Sequence, residues 1–240
     1  MRRVTLVTGG ARRVGAAITR SFAATGDALA VHYGSSANDA EQLAAELRDA
    51  GTSVFLVQAD LRDPASPDYI IEQTMQEYGR LDVVISSASL MMRHKLDQVT
   101  VEEWDSVQAI NLRAPFFLAR AAARVMSDGG VIVQMADHLA HETGFPTLYP
   151  HQITKSAVPQ MVRVLAEAFA PRIRVNAVEP GLVLAPADLT EAKMSRFLED
   201  VPLGRSGTPD DVVRAIHYLV NAPYVTGTVL TVDGGRRLRR

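Results

Sequence analysis

The sequence predicts a single doubly wound α/β domain, with a seven-stranded parallel sheet and helices on both faces. Short β-branched runs alternate with longer amphipathic segments from end to end, the pattern of successive βαβ units. No linker, repeat or low-complexity block breaks the alternation. A length of 240 residues with 47% apolar content is enough for one large core.

Each element has its own warrant. Strands are expected at Arg3–Thr8, Ala28–Tyr33, Val54–Gln58, Val83–Ser86, Val131–Met135, Val175–Val178 and Val229–Val232, where short, mostly apolar runs containing β-branched residues stand between turn formers. Helices are expected at Val14–Thr25, Asp39–Ala50, Tyr69–Tyr78, Glu102–Met126, Pro150–Phe169 and Pro209–Val220, where apolar residues recur at helical spacing. Pro150 and Pro209 stand where a first helical turn tolerates proline. Leu182–Pro202, rich in Ala and Asp with weak periodicity, reads as a substrate lid.

Composition excludes several function classes. A net charge of −2 offers no basic field for nucleic acid. The one basic cluster, Arg236, Arg237, Arg239 and Arg240, reads as a solvated terminus. With no cysteine there is no disulfide, thiolate nucleophile or Cys-ligated zinc, which suits a reducing cytoplasm. Met1-Arg2-Arg3 is followed by only five residues before Gly9, too short for a signal peptide, and no later run reaches membrane-spanning length. A cytoplasmic protein acting on a small molecule is the expectation. His94, His138, His141 and His217 lack metal-ligand spacing and read as surface or hydrogen-bonded residues, so no metal is expected. The serines lack a Gly-x-Ser-x-Gly elbow, which argues against a serine hydrolase.

The first strand runs into Thr8-Gly9-Gly10-Ala11-Arg12-Arg13-Val14-Gly15 and then a helix. A dinucleotide pyrophosphate needs this order, because turn N–H groups and the positive helix end face it together. Guanidinium groups at Arg12 and Arg13 suit phosphate oxygens. The second strand ends in Val31-His32-Tyr33-Gly34-Ser35-Ser36, without the acid that would hold a ribose 2′-hydroxyl, so NADP is favoured over NAD. Further along, His151 and Lys155 are four apart, so a helix places both on one face toward one bound molecule.

These motifs, with Asn111 in Asn111-Leu112-Arg113-Ala114-Pro115, Arg174-Val175-Asn176-Ala177-Val178-Glu179-Pro180-Gly181 and the closing Val225–Gly235 segment, resemble the short-chain dehydrogenase/reductase family from Val4 to Gly235. Arg13 in place of the middle turn glycine, and Asp137 in place of serine, look like the pteridine-reductase branch. The resemblance implies a Rossmann domain reducing a carbonyl or pterin-like C=N bond with NADPH. It implies cofactor contacts at Gly9, Arg12, Arg13, Val14, His32, Tyr33, Ser35, Asp60, Leu61, Ser87, Ala88, Ser89, Met135, Lys155, Pro180, Gly181 and Leu182. It assigns Lys155 to the ribose and Asn111 to a water relaying protons to Lys155. It also implies a homotetramer built on the Glu102–Met126 and Pro150–Phe169 helices.

The chain departs from the family at the proton donor, where His151 replaces tyrosine. A carboxylate at Asp137 would stabilise the imidazolium, making an Asp–His donor pair chemically reasonable. Tyr149, two residues earlier, is a second candidate donor, although six residues from Lys155 put it on another helix face. Loss of catalysis with NADP retained is the third alternative. Ser86-Ser87-Ala88-Ser89 half-matches the family's Asn-Asn-Ala-Gly, and Leu90-Met91-Met92 stands where pteridine reductases carry an aromatic ring.

Overall fold

The computed structural model describes residues 2–142, 145–184 and 191–239. Seven strands, β1 (Val4–Thr8), β2 (Ala28–Tyr33), β3 (Val54–Gln58), β4 (Val83–Ser86), β5 (Gly130–Met135), β6 (Ile173–Pro180) and β7 (Val229–Val232), form one sheet in the order β3-β2-β1-β4-β5-β6-β7. Every pairing is parallel. The sequence turns back between β1 and β4, neighbours in space, and in such sheets the crevice at the carboxyl ends of those strands is where ligands sit.

The helices are α1 (Arg13–Ala24), α2 (Ala37–Asp49), α3 (Ser66–Tyr78), α4 (Val101–Gln108), α5 (Ala114–Val125), α6 (Tyr149–Phe169), α7 (Glu191–Glu199) and α8 (Pro209–Asn221). Alternation of side chains along each strand sends β-branched residues to both faces, so two cores form. Val84 and Ile132 point to a core with Leu118 of α5 and Val162 of α6. Ile85 and Val133 point the other way, to Ile18 of α1, Leu43 of α2 and Ile216 of α8.

Three expectations are corrected. Glu102–Met126 is not one helix: α4 gives way to a π-helical turn at Ala109–Arg113 before α5 begins. Its one extra residue per turn puts Asn111 inside, buried at the end of the sheet. Leu182–Pro202 contains the helix α7, while residues 185–190 of that expected lid lie outside the described residues. The C-terminal arginines are not all solvated, since Arg236 is 1% exposed.

Candidate active site

The nucleotide side of the crevice is made by backbone in close contact. Gly9 has φ +61, and a Cβ there would stand 2.8 Å from the Ala88 Cα. A Cβ at Gly15 would overlap the Gly9 carbonyl oxygen. Glycine at both positions therefore lets β1, α1 and the segment after β4 converge. The Thr8 hydroxyl oxygen accepts from the backbone N–H groups of Ser87 (3.2 Å) and Ala88 (3.3 Å), stitching the two strand ends together. On the far side, a Cβ at Gly181 would meet the Asp233 Cα at 2.9 Å.

His32 braces this turn from beneath. Its Nδ1 accepts from the Gly9 N–H at 3.2 Å, so its Nε2 carries the proton that faces the Ala59 carbonyl at 3.0 Å. Burial pushes its pKa down to about 4, with the Ala59 carbonyl partly opposing, and the ring is neutral at pH 7. Both nitrogens are spent on backbone, so His32 supports the turn instead of facing a ligand. Tyr33 is likewise buried, against Ala11 and Ala40.

Arg12 and Arg13 diverge. Arg13 adopts φ 51, a left-handed conformation that suits glycine, and its guanidinium donates to the Leu184 carbonyl at 3.1 Å. Arg12 lies 3.6 Å from Asp39 at the mouth of a 250 Å³ cavity shared with Arg20 and Gln42. Ser35 is exposed. Asp60 is exposed and paired with Arg62 at 2.6 Å, and Leu61 beside it is buried.

The other side of the crevice gathers the predicted proton-handling residues. His151 Nε2 lies 3.1 Å from Asp137 Oδ2. His151 Nδ1 lies 3.3 Å from both the Asn111 amide nitrogen and the Leu90 carbonyl. One donor and one acceptor at the same nitrogen serve neutral imidazole and imidazolium alike. The ring is only 2% exposed, whereas Asp137 keeps 19% of its side chain accessible. Burial disfavours charge on Asp137, but hydrogen bonds and charge from His138 and His151 outweigh it and hold the carboxyl well below the usual range.

Lys155, one turn further along α6, donates to the Met135 carbonyl at 2.7 Å. Burial pushes its pKa down to about 8, with the Asp137 charge partly opposing. Asn111 does not reach Lys155 in this arrangement. Its carbonyl oxygen accepts from Leu90 N–H (2.7 Å) and the Ser89 hydroxyl (3.3 Å), and its amide donates to the Leu90 carbonyl (2.9 Å) and the Thr154 hydroxyl (3.3 Å). The asparagine thus fixes the post-β4 segment against His151. Tyr149 sits half-buried at the start of α6 and makes no hydrogen bond through its phenol among the described residues.

A family model described as enoyl-(acyl carrier protein) reductase matches residues 9–237. The short chain dehydrogenase/reductase AacuN of Aspergillus aculeatus is 32% identical, over 97% of this chain and 94% of its own. The chain belongs to the short-chain dehydrogenase/reductase family. Among solved structures, a short chain dehydrogenase from Burkholderia cenocepacia in complex with NADP aligns at TM-score 0.92 with 30% identity, covering 98% of both chains. FolM alternative dihydrofolate reductase 1 from Brucella canis, complexed with NADP, aligns at TM-score 0.90 with 30% identity, covering 98% of this chain and 94% of that one.

Within this short-chain dehydrogenase/reductase, two neighbours of the site escaped sequence reasoning. His138 and Arg236 read as peripheral, yet His138 Nδ1 stands 3.0 Å from Asp137 Oδ1, and Arg236 pairs with Glu142 at 3.0 Å. Their partners are far along the chain or masked by an unremarkable local pattern, so periodicity carried no signal for them.

Proposed function

We propose that this chain is an NADPH-dependent reductase of a carbonyl or pterin-like C=N bond, with Asp137 and His151 handling the proton. The observation that carries the reading is the 3.1 Å contact between His151 Nε2 and Asp137 Oδ2, one helical turn from Lys155. The backbone cradle at Gly9, Gly15 and Ala88 fits a pyrophosphate, with Val14 opening α1 beneath it. Arg12 and Arg13 border the place for a 2′-phosphate, and both solved neighbours named above hold NADP. Tyr33, Ser35, Asp60 and Leu61 would flank the adenosine, and Ser87, Ala88, Ser89, Met135, Pro180, Gly181 and Leu182 the nicotinamide end.

Bound NADPH would supply the hydride. The chain's own work is to deliver one proton and to stabilise negative charge as it develops. His151 would hold the proton at Nε2 against Asp137, whose side chain is the more accessible member of the pair. Lys155, titrating near pH 8, offers an ammonium at neutral pH that favours both ribose binding and donation. Asn111 holds the His151 ring in register. The neighbouring alternative dihydrofolate reductase supports a pterin-like substrate.

Assembly as a homotetramer is part of the same reading. The outer faces of α4, α5 and α6 leave an apolar groove of about 540 Å³ lined by Leu112, Phe116, Phe117, Met161 and Val164. Such a patch on a helix pair suits burial against a second copy. No helix among the described residues is long and apolar enough to cross a membrane, and a cysteine-free chain suits the cytoplasm.

One observation favours a second reading, an NADP-binding regulatory or scaffold protein. His151 is buried with both ring nitrogens engaged inside the protein. His151→Tyr separates the two, with NADPH consumption over pterins, quinones and small ketones as readout. A working His151 donor predicts activity in the natural chain that falls about 100-fold in the variant. An inactive natural chain that gains activity as the tyrosine variant sinks the donor assignment.

A further inference from the structure

Beyond the donor pair, buried charges of alternating sign continue toward the C-terminus. His151 Nε2 lies 3.1 Å from Asp137 Oδ2, and Asp137 Oδ1 lies 3.0 Å from His138 Nδ1. His138 Nδ1 also faces the Pro180 carbonyl at 3.2 Å. Its Nε2 is buried without a hydrogen-bond partner among the described residues, 3.8 Å from Glu142 Oε1. Glu142 accepts from Arg236 Nε at 3.0 Å and Nη2 at 3.3 Å. Arg236 also donates to the Phe197 carbonyl at 3.1 Å, stacks over the Phe197 ring at 3.8 Å, and stands 3.6 Å from Asp200.

We propose that Glu142 and Arg236 are positioning residues that set the charge on His138, and through it the share of the Asp137 carboxylate available to His151. The inference rests on the proton-handling role given to that pair. When His138 is a cation, the Asp137 carboxylate is shared with that charge and its field at His151 is partly cancelled. When His138 is neutral, the carboxylate serves His151 alone. The C-terminal tail thereby governs proton supply from the other end of the chain, without touching substrate.

Among the described residues, the charged and titratable groups facing His138 come from three places. Asp137 precedes it, Glu142 follows on the same segment, and Arg236 approaches from the tail. Phe145 and Phe197 present their rings at 6.3 and 6.1 Å, and β6 offers the Pro180 carbonyl. Glu179 of β6 is engaged elsewhere, by His141 at 2.9 Å and Arg237 at 3.4 Å. Burial lowers the His138 pKa, the hydrogen bond and charge of Asp137 with the charge of Glu142 raise it by more, and Arg236 acts to lower it.

The two outer residues therefore act with opposite sign although they form one ion pair. Ring-nitrogen NMR of the six histidines in the full-length chain, without cofactor or substrate, reads this directly. Glu142→Gln should lower the His138 titration midpoint and Arg236→Met should raise it, each by about one pH unit. The double variant should return close to the natural chain. The His151 ring signals should show an inflection at the His138 midpoint that moves with it.

A purely structural ion pair predicts that both single variants shift His138 in the same direction, and that result overturns the proposal. A His151 signal with no inflection at the His138 midpoint overturns it as well. That arm needs only the natural chain, so it stands even if a single variant fails to fold. The reading as a reductase fails separately, through absent NADPH consumption, which leaves these titrations unaffected.

Discussion

Replacing Lys155 by methionine should make the protein more stable while removing its activity. The side chain is 4% exposed, and burial lowers its pKa from 10.5 to about 8. Such a fall corresponds to on the order of 3 kcal/mol by which the folded state disfavours the ammonium at neutral pH. Methionine matches the stem and has no charge to bury, but it leaves the Met135 carbonyl without its donor at 2.7 Å, a loss of about 1–2 kcal/mol. The net gain is about 1–2 kcal/mol, or roughly 2–8 °C in Tm for a chain of this size. The sign with pH follows from the lowered folded value. Below about pH 8 the ammonium is charged in both states and the full burden is present. Between pH 8 and 10.5 the unfolded chain alone keeps the proton, so the natural protein gains stability with rising pH and the advantage of the variant shrinks. Denaturant unfolding of both proteins at pH 7 and pH 10 checks this. A variant less stable than the natural chain at pH 7, or a gap unchanged at pH 10, refutes the reasoning.

Arg13→Gly should relieve the left-handed backbone at φ 51 and stabilise the fold by about 1 kcal/mol, while NADPH binding weakens about tenfold and NADH binding changes less. Calorimetric titration with both cofactors measures this, and a natural chain that prefers NADH removes the 2′-phosphate argument. His32 gives an acid limb. Its folded pKa, near 4, lies below the unfolded 6.5, so stability is lost as pH falls from 6.5 toward 4, by up to on the order of 3 kcal/mol. His32→Asn keeps an acceptor for Gly9 without titrating in this range, and unfolding at pH 7 and 4.5 should show a smaller acid loss than in the natural chain.

The sheet was legible because its strands are short, mostly apolar runs, most of them rich in β-branched residues, and four of them, β2, β3, β4 and β7, keep both of their expected ends. β6 was read as Val175–Val178 but runs from Ile173 to Pro180. Its polar residues hid it. Arg174 donates to the carbonyls of Leu219, Val220 and Val225, and Asn176 pairs with Val225 and Thr228, so these side chains are held by partners some fifty residues away. The π turn around Asn111 left the apolar spacing of its flanking helices intact, and a periodicity count runs straight through it. At the site, the one-face relation of His151 and Lys155 followed from their spacing. That Asn111 would clasp Leu90 and His151, and that a terminal arginine would be buried on Glu142, depends on loops folding back on one another, and no local pattern encodes it.

The stitching of the Ser87 and Ala88 N–H groups to the Thr8 hydroxyl, with Gly9 pressed against Ala88, ties the floor of the crevice to two side-chain choices. Removing the hydroxyl orphans both N–H groups, and adding a Cβ at Gly9 drives the segment after β4 away. The scaffold thus concentrates the integrity of its anchorage in one oxygen atom and one missing carbon.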